Sequence, residues 1–313
     1  MSACLLCGGS GAAVVFRASD RLFGTTTEEF SVVRCAHCGL MRLDPQPAPE
    51  RLPRYYPDRY WFSPDETTAG RLEESYRRLV LRDHVRFVDR AMRSTRAQGP
   101  LLDVGCGGGL FLRLMRRRGF RAVGLDFSVQ AAALAWKQGT PVVCARLEQS
   151  PFRPSSLAGL TMFHVIEHLP DPRAYLLAAR ELLAPDGRLV VQAPNAACWQ
   201  FRLLGRAWNG MDVPRHLFDF RAADLEKLME SCGFETVRRK HFSLRDNPAG
   251  LATSLAPALD PMARRVRHPA ESGRVRLAKD LVYLALTLAS APLAAAEAAC
   301  GAGSTIMIEA RRP

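Results

Sequence analysis

Between residues 100 and 245, short apolar runs typical of strands alternate with longer runs typical of helices. The strand-like runs cover residues 100–104, 122–126, 142–144, 159–164, 188–193 and 235–242, and a seventh covers 304–310. This alternation is the pattern of a parallel sheet whose strands are joined by crossover helices. We therefore predict an α/β fold in which the last strand is separated from the others by a helical segment.

The composition is that of a globular protein and excludes wholesale disorder, because 48% of the 313 residues are hydrophobic and 24% are charged. The net charge of +12 has two interpretations. It indicates either an anionic partner, such as RNA or a membrane, or a bias in codon usage. Only four of the 43 basic residues are lysines, which favours the compositional interpretation.

A glycine-rich turn follows the first strand-like run, which ends at Asp103, and precedes a helix-like run that begins at Leu110. Glycines in such a turn let the backbone bend sharply and approach a ligand closely. The next strand-like run ends in Asp126, which is placed to bind two ribose hydroxyls. The alternative for Asp126 is a helix cap. Nucleotide-binding dehydrogenases use a similar turn, so the glycines alone do not identify the ligand.

Four cysteines near the N-terminus form two CxxC pairs, Cys4 with Cys7 and Cys35 with Cys38. Four thiolates make a closed tetrahedral site, so we predict a structural Zn²⁺ ion here. The alternatives are unpaired buried cysteines or a redox pair, and His37 is a less well-placed ligand. We expect a cytoplasmic protein with reduced thiols, because the first residues lack the basic and apolar regions of a signal peptide.

A basic stretch, residues 262–279, precedes an uncharged run of 16 residues, 281–296. The run is shorter than the roughly 20 residues that span a membrane, so we expect a helix that is buried or lies on a surface. A peripheral membrane contact through residues 264–296 is one hypothesis. We favour the other, an insertion that covers the core or pairs two subunits. The sequence leaves the oligomeric state open.

Several motifs together resemble class I S-adenosylmethionine-dependent methyltransferases. Residues 103–109 (DVGCGGG), with Asp126, are similar to motifs I and II of that family. Residues 163–172 (FHVIEHLPDP) resemble its HVLEHL region, and 182–189 (LLAPDGRL) resemble the turn before its fifth strand. Residues 214–220 (PRHLFDF), 232–234 (CGF) and the cysteine pairs are similar to a bacterial branch.

The resemblance implies a Rossmann-like, seven-stranded, mostly parallel sheet with helices on both faces. A small N-terminal zinc-binding module and a helical C-terminal insertion would complete the chain. We expect a zinc-ribbon-like module in residues 1–44, a connector in 45–98 and the methyltransferase core in 99–245. The insertion would occupy 246–303, and the final strand and tail 304–313.

The resemblance also implies the residues that bind S-adenosylmethionine. They are Asp103, Gly105, Cys106, Gly107, Gly109, Asp126, Phe127, Leu147, Glu148 and His164. The sequence departs from the family at Arg146, where an aspartate near the adenine is common. Leu157-Ala158 stands where the family usually has Phe-Asp.

A hydroxyl acceptor benefits from a general base, and the candidates are His164, Glu167, His168 and His216. His168 could instead cap a helix, and His216 could hold the segment between Trp208 and Phe220 over the pocket. We predict O-methylation of a small-molecule, glycan or lipid-linked acceptor and no nucleic-acid partner. The alternatives are an RNA methyltransferase that uses the zinc module to hold RNA, and a non-catalytic zinc-ribbon adaptor.

Overall fold

The computed structural model of the chain describes residues 2–57 and 68–313, so residues 58–67 of the predicted connector lie outside the description. The strands are β1 Ala12–Ala18, β2 Phe30–Cys35, β3 Met41–Leu43, β4 Leu101–Val104, β5 Ala122–Asp126, β6 Val142–Cys144, β7 Leu157–Phe163, β8 Leu183–Pro194, β9 Phe218–Asp219, β10 Glu235–Lys240 and β11 Thr305–Arg311. The helices are α1 Thr68–Val80, α2 Arg82–Ser94, α3 Leu110–Arg116, α4 Val129–Lys137, α5 Pro172–Leu182, α6 Trp199–Leu204, α7 Ala222–Ser231, α8 Asn247–Leu255, α9 Pro261–Arg267 and α10 Gly273–Ala299.

The large sheet has seven strands in the order β10-β11-β8-β7-β4-β5-β6. Strands β4 to β8 pair in parallel, whereas β11 is antiparallel to both of its neighbours. The predicted α/β fold with a mostly parallel sheet is therefore confirmed. All seven predicted strands of this sheet are present. Two have the predicted bounds, and the ends of the others differ from the prediction by up to five residues.

Helices cover both faces of this sheet. Successive strand residues point to opposite faces, so each face has its own set of side chains to bury. Leu101 and Met307 pack with Val88 of α2 and Met115 of α3 on one face. The residues next to these on the strands, Leu102, Ile306 and Ile308, belong to a second cluster. That cluster also contains Leu176 of α5 and Leu228 of α7. Burial on both faces explains why the central strands read as continuous apolar runs rather than as alternating ones.

The N-terminal residues form a second, antiparallel sheet of four strands, in the order β1-β2-β3-β9. Its fourth strand, β9, lies between β8 and β10 along the chain and was not predicted. The backbone amide of Leu43 also donates to the carbonyl of Leu217, at 3.0 Å. The N-terminal module is thus joined to the core by main-chain hydrogen bonds that are far apart in sequence.

Three helices, α8 to α10, lie between β10 and β11 along the chain. The buried positions of α10 are few and mostly small or polar, and Glu297 accepts hydrogen bonds from the backbone amide and Nε2 of Gln200. Large apolar side chains instead face outward, with Leu281 57% and Leu288 65% exposed. Among the described residues, α10 is the one helix long and apolar enough to cross a membrane, and 22% of its most apolar stretch is buried.

Candidate active site

A cavity of about 700 Å³ opens at the carboxyl ends of β4, β5 and β7. This edge of a parallel sheet is where α/β proteins bind their ligands. The cavity is lined by all but two of the residues predicted for the cofactor and for catalysis, namely Asp103, Gly105, Cys106, Gly107, Gly109, Asp126, Phe127, Leu147, His164, His168 and His216. The exceptions are Glu148, which is exposed to solvent, and Glu167, which is buried next to His164.

The glycine-rich turn between β4 and α3 forms one wall of the cavity. Gly105 and Gly107 have φ angles of +71° and +51°, a region that side chains other than glycine rarely adopt. A Cβ atom on Gly105 would lie 2.6 Å from Cγ2 of Val165. The amide of Gly107 donates to Oδ2 of Asp126 at 2.9 Å, which ties the turn to the end of β5.

Two buried carboxylates, Asp103 and Asp126, lie at this wall. Asp103 accepts a hydrogen bond of 2.6 Å from the hydroxyl of Thr161. Burial raises the pKa of Asp103 to about 7, and the charge on Asp126 adds to that shift. Burial also raises the pKa of Asp126. Such groups suit a ligand that carries positive charge and hydroxyl donors, because it would stabilise their ionised forms.

Beyond Asp126 the cavity is flanked by Phe127, whose side chain is 57% exposed, and by the buried Leu147. Arg146, which stands where the family commonly has an aspartate, also lines this part of the cavity. This part of the cavity is therefore lined by an aromatic ring from Phe127, an aliphatic side chain from Leu147 and a guanidinium from Arg146. Of the aromatic residues between 199 and 208, Trp208 lines the cavity.

His164 follows β7 directly and has a φ of +54°, a strained conformation for a histidine. Its Nδ1 atom lies 3.1 Å from Oε1 of Glu167, and its Nε2 lies 3.5 Å from Oδ2 of Asp246. Burial opposes the charge on the ring, but Asp246 and Glu167 together raise the pKa of His164 to about 9. A histidine that already carries its second proton cannot act as a base near neutral pH.

The rings of His168 and His216 meet edge to face, with their centroids 4.7 Å apart. The Nδ1 atom of His168 lies 3.0 Å from the carbonyl oxygen of Arg215, and the Nδ1 atom of His216 lies 2.8 Å from that of Gly210. Because a carbonyl only accepts, each ring donates from Nδ1 and turns Nε2 away from that bond. Burial and the neighbouring His216 lower the pKa of His168 to about 4, so this ring is neutral at pH 7.

The segment that carries His216 is held by the buried side chain of Arg215. Its guanidinium donates to both carboxylate oxygens of Asp20, at 2.8 and 2.9 Å, and to Asp212, at 2.6 and 2.9 Å. It also donates to the carbonyl of Tyr55 and stacks on the ring of Phe23, 4.6 Å from its centroid. Residues of the N-terminal module therefore fix the backbone beside the catalytic candidates.

Three residues at the site were not predicted from the sequence, namely Tyr56, Asp246 and Asp20. The hydroxyl of Tyr56 lies 3.0 Å from Nδ1 of His168, and Asp246 accepts a hydrogen bond of 2.7 Å from Nε2 of Gln192. Tyr56 belongs to a tyrosine-rich stretch that was visible in the sequence. The roles of Asp246 and Asp20 at the site have no local signal, because the site residues they contact, Gln192 and Arg215, are at least 50 residues away along the chain.

The four N-terminal cysteines come together as predicted, with their sulfur atoms within 4.8 Å of one another. Sγ of Cys4 lies 3.5 Å from that of Cys38, and Sγ of Cys7 lies 3.6 Å from that of Cys35. Thiolates around a tetrahedral Zn²⁺ ion, with bonds of about 2.3 Å, would be roughly 3.8 Å apart. The donor set therefore fits zinc, and the sulfur atoms are too far apart for disulfides.

Comparison with known proteins agrees with this geometry. Residues 73–239, more than half of the chain, match the model of a methyltransferase domain family. The chain belongs to this family. It is 31% identical to the ubiquinone biosynthesis O-methyltransferase of Pectobacterium carotovorum over 185 residues, which cover 53% of this chain and 76% of the relative. A relative of the same name from Cereibacter sphaeroides is 30% identical over 176 residues, covering 50% of this chain and 67% of the relative.

The solved structures agree with the fold. A methyltransferase from Archaeoglobus fulgidus that depends on S-adenosylmethionine superposes with a TM-score of 0.50 and 17% identity, covering 78% of this chain and all of that one. Together with the family match over residues 73–239, this fold makes the protein a class I S-adenosylmethionine-dependent methyltransferase. The predicted fold, enzyme class and organic cofactor are confirmed.

Proposed function

We propose that this methyltransferase transfers a methyl group to a hydroxyl oxygen of a small-molecule or glycan acceptor. The observation that carries the proposal is a single cavity that joins the carboxylates Asp103 and Asp126 to the uncharged ring of His168. The relatives named above are O-methyltransferases, which supports the same class of acceptor. We propose a cytoplasmic location and no nucleic-acid partner.

The residues of the glycine-rich turn and of β5 fit the cofactor. We propose that Asp103 and Gly105 to Gly109 bind its amino acid part, and that Asp126 binds its ribose. Phe127 and Leu147 would flank the adenine, whereas the exposed position of Glu148 gives it less access. S-Adenosylmethionine supplies a methyl group on a positively charged sulfur, which suits a wall of buried carboxylates.

The histidines differ in what they can do to the acceptor. His168 is uncharged and can accept a proton from a hydroxyl through Nε2, and His216 lies beside it at the same end of the cavity. We propose that one of these two is the general base. The charge on His164, held between Glu167 and Asp246, makes it a positioning residue that keeps Glu167 in place.

The test uses S-adenosylmethionine with a labelled methyl group and three acceptor probes, namely catechol, a simple phenol and a nucleotide sugar. Replacing His168 or His216 with glutamine should lower kcat by about 100-fold or more, the usual contribution of a general base. The binding constant for S-adenosylmethionine should stay unchanged. His268→Gln, an exposed histidine outside the cavity, is the matched control. Full activity in both cavity variants would refute the assignment.

We also propose that the N-terminal module holds a structural Zn²⁺ ion on Cys4, Cys7, Cys35 and Cys38. The module would then keep Asp20 in position to bind Arg215, so that its role is to shape the active site. The division into an N-terminal module, connector, core and C-terminal insertion remains part of the proposal. The main-chain bonds of β9 indicate that the module and the core form one folding unit.

The exposed face of α10 supports a peripheral membrane contact through residues 264–296. Leu277, Leu281 and Leu288 are each more than half exposed. The exposed Arg274 and Arg276 lie at the start of the same helix. A basic, apolar face of this kind binds anionic bilayers by combining burial with electrostatic attraction. We propose that the segment rests on such a surface.

A further inference from the structure

A second cluster of metal-ligating side chains, formed by Glu167, His168 and His216, lies at the active-site cavity, which the two histidines line. One ligand atom from each residue lies within 4.8 Å of the other two. Glu167 and His168 lie on a short 3₁₀ helix after β7, and His216 lies just before β9. We propose that these three residues bind a divalent transition-metal ion at the acceptor end of the cavity.

Both histidines already make the hydrogen bond that is typical of metal-ligating histidines. Each ring donates its Nδ1 proton to a backbone carbonyl, that of Arg215 or that of Gly210. Histidines that ligate metals almost always make such a bond with the other ring nitrogen, because it fixes the tautomer and the direction of the lone pair. The Nε2 atom of His216 faces Glu167, 4.0 Å from Oε1.

The carboxylate of Glu167 supplies an independent observation. Its side chain is 1% exposed, and Oε1 lies beside His164. The buried Oε2 has no hydrogen-bond partner among the described residues. A buried carboxylate oxygen without a donor is costly and rare in native proteins, and a bound cation would supply the missing partner.

The donor set defines the kind of ion. Two imidazole nitrogens and one carboxylate oxygen bind Zn²⁺, Fe²⁺, Co²⁺ or Mn²⁺ and leave coordination positions open. Ligand atoms of an occupied site, with bonds of about 2.1 Å, would be roughly 3.4 Å apart in a tetrahedral arrangement. The present separations all lie within 4.8 Å, so the side chains would have to close by at most about 1.4 Å. The four-cysteine site differs, because four thiolates leave no open position.

An open coordination position facing the cavity would take an oxygen of the acceptor. This role rests on the proposed function, whereas metal binding itself does not. A bound hydroxyl would lose its proton to water more easily, because the cation stabilises the oxyanion. The ion would occupy Nε2 of His168 and of His216, so in the metal-bound enzyme this activation would take the place of the histidine base. The ion would thus favour acceptors with two neighbouring oxygens, such as catechols, over simple phenols.

Mn²⁺ is the sharpest probe of the site, because it prefers nitrogen and oxygen ligands to thiolates and therefore does not report the cysteine cluster. We would titrate Mn²⁺ into the full chain and follow the loss of the free-ion signal by electron paramagnetic resonance. The expected result is one saturable site per chain in the wild type and in the His268→Gln control. His216→Gln and Glu167→Gln should each weaken binding by about 100-fold.

A saturable site that both variants leave unchanged, or no saturable binding at all, would overturn the proposal. Binding of S-adenosylmethionine by calorimetry shows whether each variant is folded. If Glu167→Gln does not fold, His168→Gln takes its place. Methyl transfer to catechol is measured separately with and without the ion. Metal binding without methyl transfer to any probe would contradict the proposed function alone, and transfer without metal binding would contradict this inference alone.

Discussion

Replacing Asp103 with asparagine should stabilise the protein in the absence of cofactor and weaken its binding of S-adenosylmethionine. The carboxyl is 4% exposed, and its pKa is raised from 3.8 to about 7, chiefly by burial. Asparagine has nearly the same shape and keeps an oxygen that can accept the hydrogen bond from Thr161. The substitution therefore removes the charge with little change in packing.

The sign and size of the effect follow from proton linkage. The folded protein holds the proton on Asp103 up to about pH 7, whereas the unfolded chain releases it near pH 3.8. The free energy of unfolding therefore falls as the pH rises from about 4 to about 7, and stays lower above that. A shift of about 3 units corresponds to at most about 4 kcal/mol, at about 1.4 kcal/mol for each unit. At pH 5 the expected penalty is about 1–2 kcal/mol.

The assay is urea unfolding of the wild type and of Asp103→Asn at pH 5 and pH 8, with Glu29→Gln, an exposed carboxylate, as the control. Without cofactor, the variant should be more stable at pH 8 by a margin that shrinks at pH 5. Calorimetry should show the affinity of the wild type for S-adenosylmethionine rising between pH 6 and pH 8, and a variant affinity at least about tenfold lower. A variant that is less stable at pH 8, or a margin that does not change with pH, would refute the reasoning.

Four further changes have distinct expected outcomes. Asp20→Asn should lower the free energy of unfolding by about 3 kcal/mol in urea, because it uncouples a buried ion pair with Arg215. Cys4→Ser should lose Zn²⁺ by elemental analysis and unfold at a lower temperature, and unchanged metal content would argue against the four-thiolate site. Asp126→Ala should abolish binding of S-adenosylmethionine by calorimetry while the circular dichroism spectrum persists. Leu288→Glu should reduce sedimentation with phosphatidylglycerol vesicles but not affect methyl transfer to catechol, and unchanged sedimentation would exclude α10 as the contact.

The sequence predicted the parts of the molecule whose signals are local. The apolar runs and the glycine-rich turn place Asp103 and Asp126 at strand ends, and the structure brings both to one cavity wall. Strand β9 has two residues and pairs with β3 across more than 170 positions, so no local pattern indicates it. The raised pKa of His164 could not be predicted from the sequence either, because it depends on contact with Asp246, which lies 82 residues later in the chain.

Arg215 contacts both the N-terminal module and the active site. Asp20 holds the guanidinium of Arg215, and the carbonyl of the same arginine accepts the Nδ1 proton of His168. A loss of zinc that shifts Asp20 would free Arg215 and remove the acceptor that fixes the tautomer of His168. The ring could then present the wrong nitrogen to the acceptor. The proposed zinc site, which has no open coordination position, would therefore act on catalysis only through the carbonyl that fixes which nitrogen of His168 carries the proton.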